Sequence, residues 1–327
     1  MKLFVALLPA AILLCLPGCS DSNSPEEEAY MRLGEGTHPV WMPDNSAVSA
    51  VGLFENLGRA SQDGPEYLLF YSPTGSKLID KKKVGETTAL IQSYAWSHTE
   101  VDPSIVYTIY DYSSRTYKLL RRDDLDADPV VLFESDQPIS SPSWTWDNSK
   151  IVFYHPGTYS QAYQVDASGG QPTELNNDLG WGEALQLNHI HCAGDGPYLV
   201  YATKYVGQAP NIYSIDLAGG EPTKLTDFDD SEIYIRCTAL SPDGVTLAYI
   251  TGNTGTRYQF VYLQAMSGGE PKKVIETAFD TFPPFVRMSS SFSWSPDGDR
   301  IVVGTSLYDG VDYDFSIYMV PLDEYLD

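Results

Sequence analysis

The chain has 327 residues, with 44 acidic against 20 basic side chains and a formal net charge of −24. So acidic a surface repels phosphate backbones and anionic headgroups, which excludes nucleic acid as a partner and leaves direct binding to lipid heads without a driving force. The length allows one large repeat domain or two ordinary ones.

The chain opens with Lys2 and an apolar run over residues 3–16, LFVALLPAAILLCL. That is too short for a comfortable membrane span and has the form of a secretory signal. It ends in Leu16-Pro17-Gly18-Cys19. A small residue directly before a cysteine resembles the bacterial lipobox. The resemblance implies cleavage after residue 18, lipid on Cys19 and a mature protein beginning there. Residues 19–28 form a polar tether, and Ser20 favours outer-membrane sorting by the same resemblance. The membrane is thus reached through the lipid alone.

From residue 29 onward the chain repeats itself. SWSPDGDRIVVG (293–304), ALSPDGVTLAYI (239–250), SWTWDNSKIVFY (143–154), HCAGDGPYLVYA (191–202) and VWMPDNSAVSAV (40–51) align, with a degenerate copy at 95–108. The anchor position holds Trp41, Trp96, Trp144, Cys192, Leu240 and Trp294. An aspartate follows three residues later in five copies: Asp44, Asp147, Asp195, Asp243 and Asp297. Asp-Gly and Asp-Asn pairs turn a chain tightly, and the β-branched and aromatic runs after them are strands. A third run (such as 211–217) and a Gly-Gly turn into a fourth (PTKLT) complete each unit. Six units of four short antiparallel strands cannot bury both faces singly. Packed radially they do, which predicts an all-β, six-bladed β-propeller over 29–327. The last unit supplies three strands, and 30–33 (YMRL) is the fourth, so the amino-terminal strand closes the ring and removes an open edge. The domain is a monomer by expectation.

Residues 29–322 resemble the TolB-type six-bladed propeller, whose repeat reads W-S-P-D-G, strand, I-Y-x-x-D-x-x-G-G-x-P-x-x-L-T; SWSPDGDRIVV and NIYSIDLAGGEPTKLT fit it closely. TolB carries an additional amino-terminal α/β domain for which the ten tether residues leave no room. The resemblance therefore implies an envelope protein that binds something on the propeller face or in its channel, and does not imply TolB's own role.

Aspartates repeated in nearly every unit are turn residues, since a catalytic pair would not recur five times. Departures from the repeat carry more information. Three residues before the anchor stand His38, Ser93, Ser141, His189, Cys237 and Ser291. Gln92 and Arg236 stand four before it, and His191 lies one before Cys192. The start of each inner strand is polar, as a channel mouth requires. His38 and His189 fall in blades one and four, opposite each other across a six-fold ring. His38, Gln92, His189, His191 and Arg236 are the candidate ligand-binding residues. The three imidazoles are candidate ligands for a divalent metal. Here the repeat also loosely resembles that of the seven-bladed oligogalacturonate lyases, which implies a His-rich channel with a bound metal. His98 and His155 fall outside this ring.

Two cysteines remain in the propeller. Cys192 and Cys237 sit on neighbouring inner strands with offsets that turn them toward the gap between blades four and five, yet three residues of offset is about 10 Å of stagger. A disulfide and two buried thiols both stay open. Asp124-Leu125-Asp126-Ala127-Asp128 resembles the start of a calcium loop, but Pro129 and Ser135 replace the Gly and Glu such a loop needs, and the segment reads as a strand-connecting turn. Two functions follow from these observations. The first is a non-enzymatic binding or scaffolding module of the envelope, holding a protein or glycan. The alternative is a metal-dependent enzyme or receptor for a carbohydrate or peptide. Convergence of the imidazoles separates them.

Overall fold

The computed structural model describes residues 30–52, 67–75, 77–84, 89–156, 160–175, 185–192, 196–205, 208–254, 259–277, 286–308 and 313–326. The signal segment 1–18, Cys19, the tether 19–28 and Asp195 lie outside them. Among the described residues there is no helix.

Twenty-four strands form six four-stranded antiparallel sheets. The inner strands are β2 (Thr37–Trp41), β6 (Ala89–Trp96), β10 (Ser140–Trp144), β14 (Leu185–Cys192), β18 (Ile233–Leu240) and β22 (Val286–Trp294). Each ends on its anchor residue. Five sheets are consecutive hairpins. The sixth runs β22, β23 (Arg300–Tyr308), β24 (Tyr313–Pro321) and then β1 (Met31–Glu35), so the first strand of the chain is the outer strand of the last blade. The register pairs Met31 with Met319 and Glu35 with Ser316. Neighbouring inner strands touch in a complete circuit, from β2 through β6, β10, β14 and β18 to β22 and back. These are the six blades and the amino-terminal closure that the repeat predicts.

The core is divided into six apolar clusters, one between each pair of neighbouring blades. Every anchor side chain points at the preceding blade. Trp96 packs with Leu68 of blade one, Trp144 with Leu119 of blade two, and Trp294 with Val261 of blade five. The indole nitrogens donate in the same direction, Trp144 to the Ala95 carbonyl at 3.3 Å and Trp294 to the Ala239 carbonyl at 3.2 Å. The repeated aspartates cap their own turns. Asp147 accepts from the Ser149 amide at 3.0 Å, and Asp44 from the Ser46 amide at 3.0 Å. Asn45 then donates across to Asp297 of blade six, which links adjacent turns.

The cysteines follow the anchor rule and are free thiols. Cys192, an anchor, is buried between blades three and four, whereas Cys237, on the other face of its strand, is buried between blades five and six. The two point away from each other with two blades between them, so the pairing that the offsets allowed is not formed. Burial pushes the Cys192 thiol up to about 12, and that of Cys237 up as well. At the 124–128 turn, Arg122 donates to the carbonyls of Leu125 and Ala127, and Lys82 pairs with Asp126 at 3.1 Å. Two cations of the protein occupy that turn.

Candidate functional site

Every inner strand breaks its register ahead of its anchor. One residue more than the partner strand can match lies between Ile91 and Ser93, between Leu187 and His189, and between Ile235 and Cys237. The extra residues are Gln92, Asn188 and Arg236. In blades one and three the break falls between Thr37 and Val40 and between Ser140 and Ser143. There His38 and Ser141 take the left-handed conformation, with φ of 53° and 48°, each before a proline (Pro39 and Pro142) that has no amide to pair. Blade six breaks between Met288 and Phe292. A bulge re-aims the side chain at its tip. Six of them ring the axis.

The bulges open onto an axial cavity of about 480 Å³ lined by His38, Gln92, His189, His191 and Arg236, so all five residues picked from the repeat share one wall. Serines 140, 141 and 143 line it too. His98 stands outside the ring of pre-anchor residues, in the turn beyond Trp96, and lines the cavity from there. His155 lies apart, hydrogen-bonded to the Pro138 carbonyl at 2.6 Å and edged against Tyr163. His38 and His189 hold the same place in the repeat but differ in backbone: His38 is in the bulge, and His189 is in the ladder opposite Ala202.

Burial sets the charge of this wall. Desolvation lowers His38 and His189 to about 4 each. It lowers His191 to about 3, with repulsion from His189 and His98 adding to it. At neutral pH all three are uncharged, and Arg236 is the only permanent cation among the described lining residues. Glu100 is the only carboxylate among the lining residues, and it sits in the turn past Trp96, at the far end of its strand from Gln92. His189 is oriented by its neighbour. The Thr238 amide donates to its Nδ1 at 3.4 Å, with the Thr238 hydroxyl 3.3 Å from the same atom, which leaves the ring proton on Nε2. Three polar atoms of the wall are buried without any hydrogen bond among the described residues: His38 Nδ1, Trp41 Nε1 and Arg236 Nε.

Among the described residues, no three His, Cys, Asp or Glu side chains stand close enough together to hold a metal ion. The imidazoles are brought to one cavity, and the Nδ1 of His189 is turned to Thr238.

Six antiparallel blades around a polar, bulge-lined axis define this chain as a six-bladed β-propeller. Its fold is that of the TolB structures. TolB from Acinetobacter baumannii superposes with a TM-score of 0.62 at 20% identity, over 86% of this chain and 65% of that one. A chain assigned as TolB from Agrobacterium tumefaciens gives 0.61 at 15%, over 88% and 90%. An oligogalacturonate lyase in complex with manganese gives 0.56 at 12%, over 90% of each. No protein-family model matches. Among curated proteins, the uncharacterized peptidase YuxL of Bacillus subtilis strain 168 is 36% identical over 74 residues, 23% of this chain and a tenth of that protein's length.

The bulges are what reasoning from the repeat missed. Their signal is present as a polar residue four before the anchor, such as Gln92 or Arg236, and as prolines in two inner strands.

Proposed function

We propose that this protein is a non-enzymatic binding module of the bacterial envelope, anchored by lipid on Cys19 in the outer membrane, that holds a ligand or partner through its axial channel. The observation that carries this is the cavity wall: mixed apolar and polar, contributed by every blade, and furnished with buried polar atoms that no group among the described residues satisfies. Native folds leave few such atoms, and those facing a cavity are completed by water, an ion or a bound molecule. Among the described residues, the imidazoles of the wall have no carboxylate partner, and the hydroxyl touching His189 is that of Thr238, only 1% exposed. The TolB fold supports an envelope setting, and the lipobox resemblance supports the anchor.

The test is a photo-crosslinking residue at Gln92, an exposed side chain on the cavity wall, in intact envelopes. A discrete adduct, lost when Cys19→Ala releases the protein from the membrane fraction, is the expected result. Absence of any adduct at Gln92 would overturn the channel as the binding site. A Cys19→Ala protein that stays with the membrane would overturn the anchor.

A further inference from the structure

Arg236 is unlike the other buried or half-buried arginines of the described structure. Arg122 makes hydrogen bonds to Tyr107 and to the carbonyls of Leu125, Ala127 and Val84. Arg300 pairs with Asp297 and Asp299 and lies 4.8 Å over the Trp41 ring. Arg121 pairs with Asp123 and donates to the Ala167 carbonyl, though its Nε too is buried without a partner among the described residues. Arg236 enters no hydrogen bond or ion pair among the described residues, and its Nε is buried. This holds in a chain with 44 carboxylate side chains to choose from. Its position is built: it is the extra residue of the β18 bulge, taken out of the strand ladder and turned to the cavity wall.

Resting on the channel-binding reading above, we infer that the cavity takes a small organic acid and that Arg236 grips its carboxylate. A guanidinium offers a planar fork that matches a carboxylate with two parallel hydrogen bonds. The charge balance selects among anions. With His38 and His189 neutral and Glu100 at the far end of its strand, Arg236 is the one charge at the bulge end of the wall among the described residues, and one carboxylate cancels it. A phosphate dianion would leave a second charge unmatched inside a protein of net charge −24. An uncharged ligand would leave the guanidinium as it is now, unpaired. Gln92, from the blade across the axis, and the Nε2–H of His189 supply neutral polar groups for the rest of the molecule. The space, about 480 Å³, suits a small ligand.

The inference is tested by calorimetric titration of the full chain, solubilised in neutral detergent. The probes are acetate, butyrate and benzoate, the three matching amides, and inorganic phosphate. At least one carboxylate binds, its amide and phosphate bind at least tenfold more weakly, and Arg236→Gln weakens the carboxylate at least tenfold. Because Arg236 has no structural partner among the described residues, Arg236→Gln is expected to keep or raise the melting temperature. Equal binding of acid and amide, tighter binding of phosphate, no binding in the whole series, or an Arg236→Gln protein that binds as well as wild type would each overturn the inference. The acid-against-amide comparison uses the unaltered protein, so it decides even if the variant folds poorly. An adduct at Gln92 without carboxylate binding would remove this inference and leave the binding-module reading standing.

Discussion

Three histidines kept neutral by burial make the propeller sensitive to acid. His38, His189 and His191 sit at about 4, 4 and 3, against 6.5 in an unfolded chain. Below pH 6.5 the unfolded chain takes up protons that the folded one refuses, so stability is intact above about pH 7 and is lost as pH falls from 6.5 toward 4. His38 and His189 each account for up to about 3 kcal/mol of that loss. The depressed carboxylates act in a separate window. Asp111 is held low by hydrogen bonds from Lys118 and Ser113, and Asp147 by the Ser149 amide, so their contribution falls away only below about pH 4. Urea midpoints from pH 7.5 to 4.5 should therefore fall steeply for wild type and less steeply, by about one proton's worth, for His189→Gln. Parallel curves would show that His189 is not buried neutral. The two thiols give a second check at this scale. Both should stay unreactive toward a thiol reagent in the native state and both should titrate, without reductant, once the protein is unfolded. One missing thiol would mean that a bond has formed.

The inner strand is the unit that carries both core and site, and its two ends do different things. The anchor end is energetic. Trp294 fills the space against blade five and donates to the Ala239 carbonyl, while the Trp41 indole nitrogen is buried without a partner. Trp294→Phe should thus cost about 1–3 kcal/mol more than Trp41→Phe, since only the first leaves a buried carbonyl bare. Equal losses in chemical denaturation would mean that the indole hydrogen bonds do not matter to the ring. The opposite end is the bulge, and it marks how far the sequence could be read. Anchors, Asp turns and Gly-Gly turns are local patterns repeated at a fixed spacing, so blade number, strand number and closure were legible from residues such as Trp144 and Asp147. The ring of polar residues before the anchors was legible as well, which is how Arg236 and Gln92 were found. What a two-residue period cannot show is one extra residue that shifts a strand's face. His38 and His189, equivalent by counting, differ in backbone for that reason. The direction of the anchors was likewise invisible: nothing local says that Cys192 faces blade three and Cys237 faces blade six.

At the scale of the whole molecule, the ring depends on a five-residue strand. The chain enters β1 at the Asp-turn end of blade six, where Met31 lies against Met319, and leaves it at the bulge end. Leu33 is fully buried, filling the blade six–one interface with Trp41, Val302 and Ile317. Around it, Arg32 Nε donates to Ser316 at 3.1 Å, and Tyr71 of blade one donates to the Glu35 carbonyl at 2.6 Å. A stack of repeats with open ends can fray one unit at a time, whereas a closed ring has no end from which to begin. Loss of β1 exposes the apolar face of blade six and the edge of β24 together. Leu33→Ala should cost about 2–5 kcal/mol, the range for emptying a buried leucine site. Gly34→Ala should cost at least as much by another route: a Cβ there would lie 2.2 Å from the Tyr71 ring, forcing it away from the carbonyl it holds. Both variants should melt in one transition at lower temperature, with the Trp signals of all blades lost together. If blades two to five kept their melting temperature while blade six unfolded alone, the closure would be an ornament on an open stack. Removing residues 29–34 then would detach a strand and leave a folded protein, where a closed ring would not fold at all.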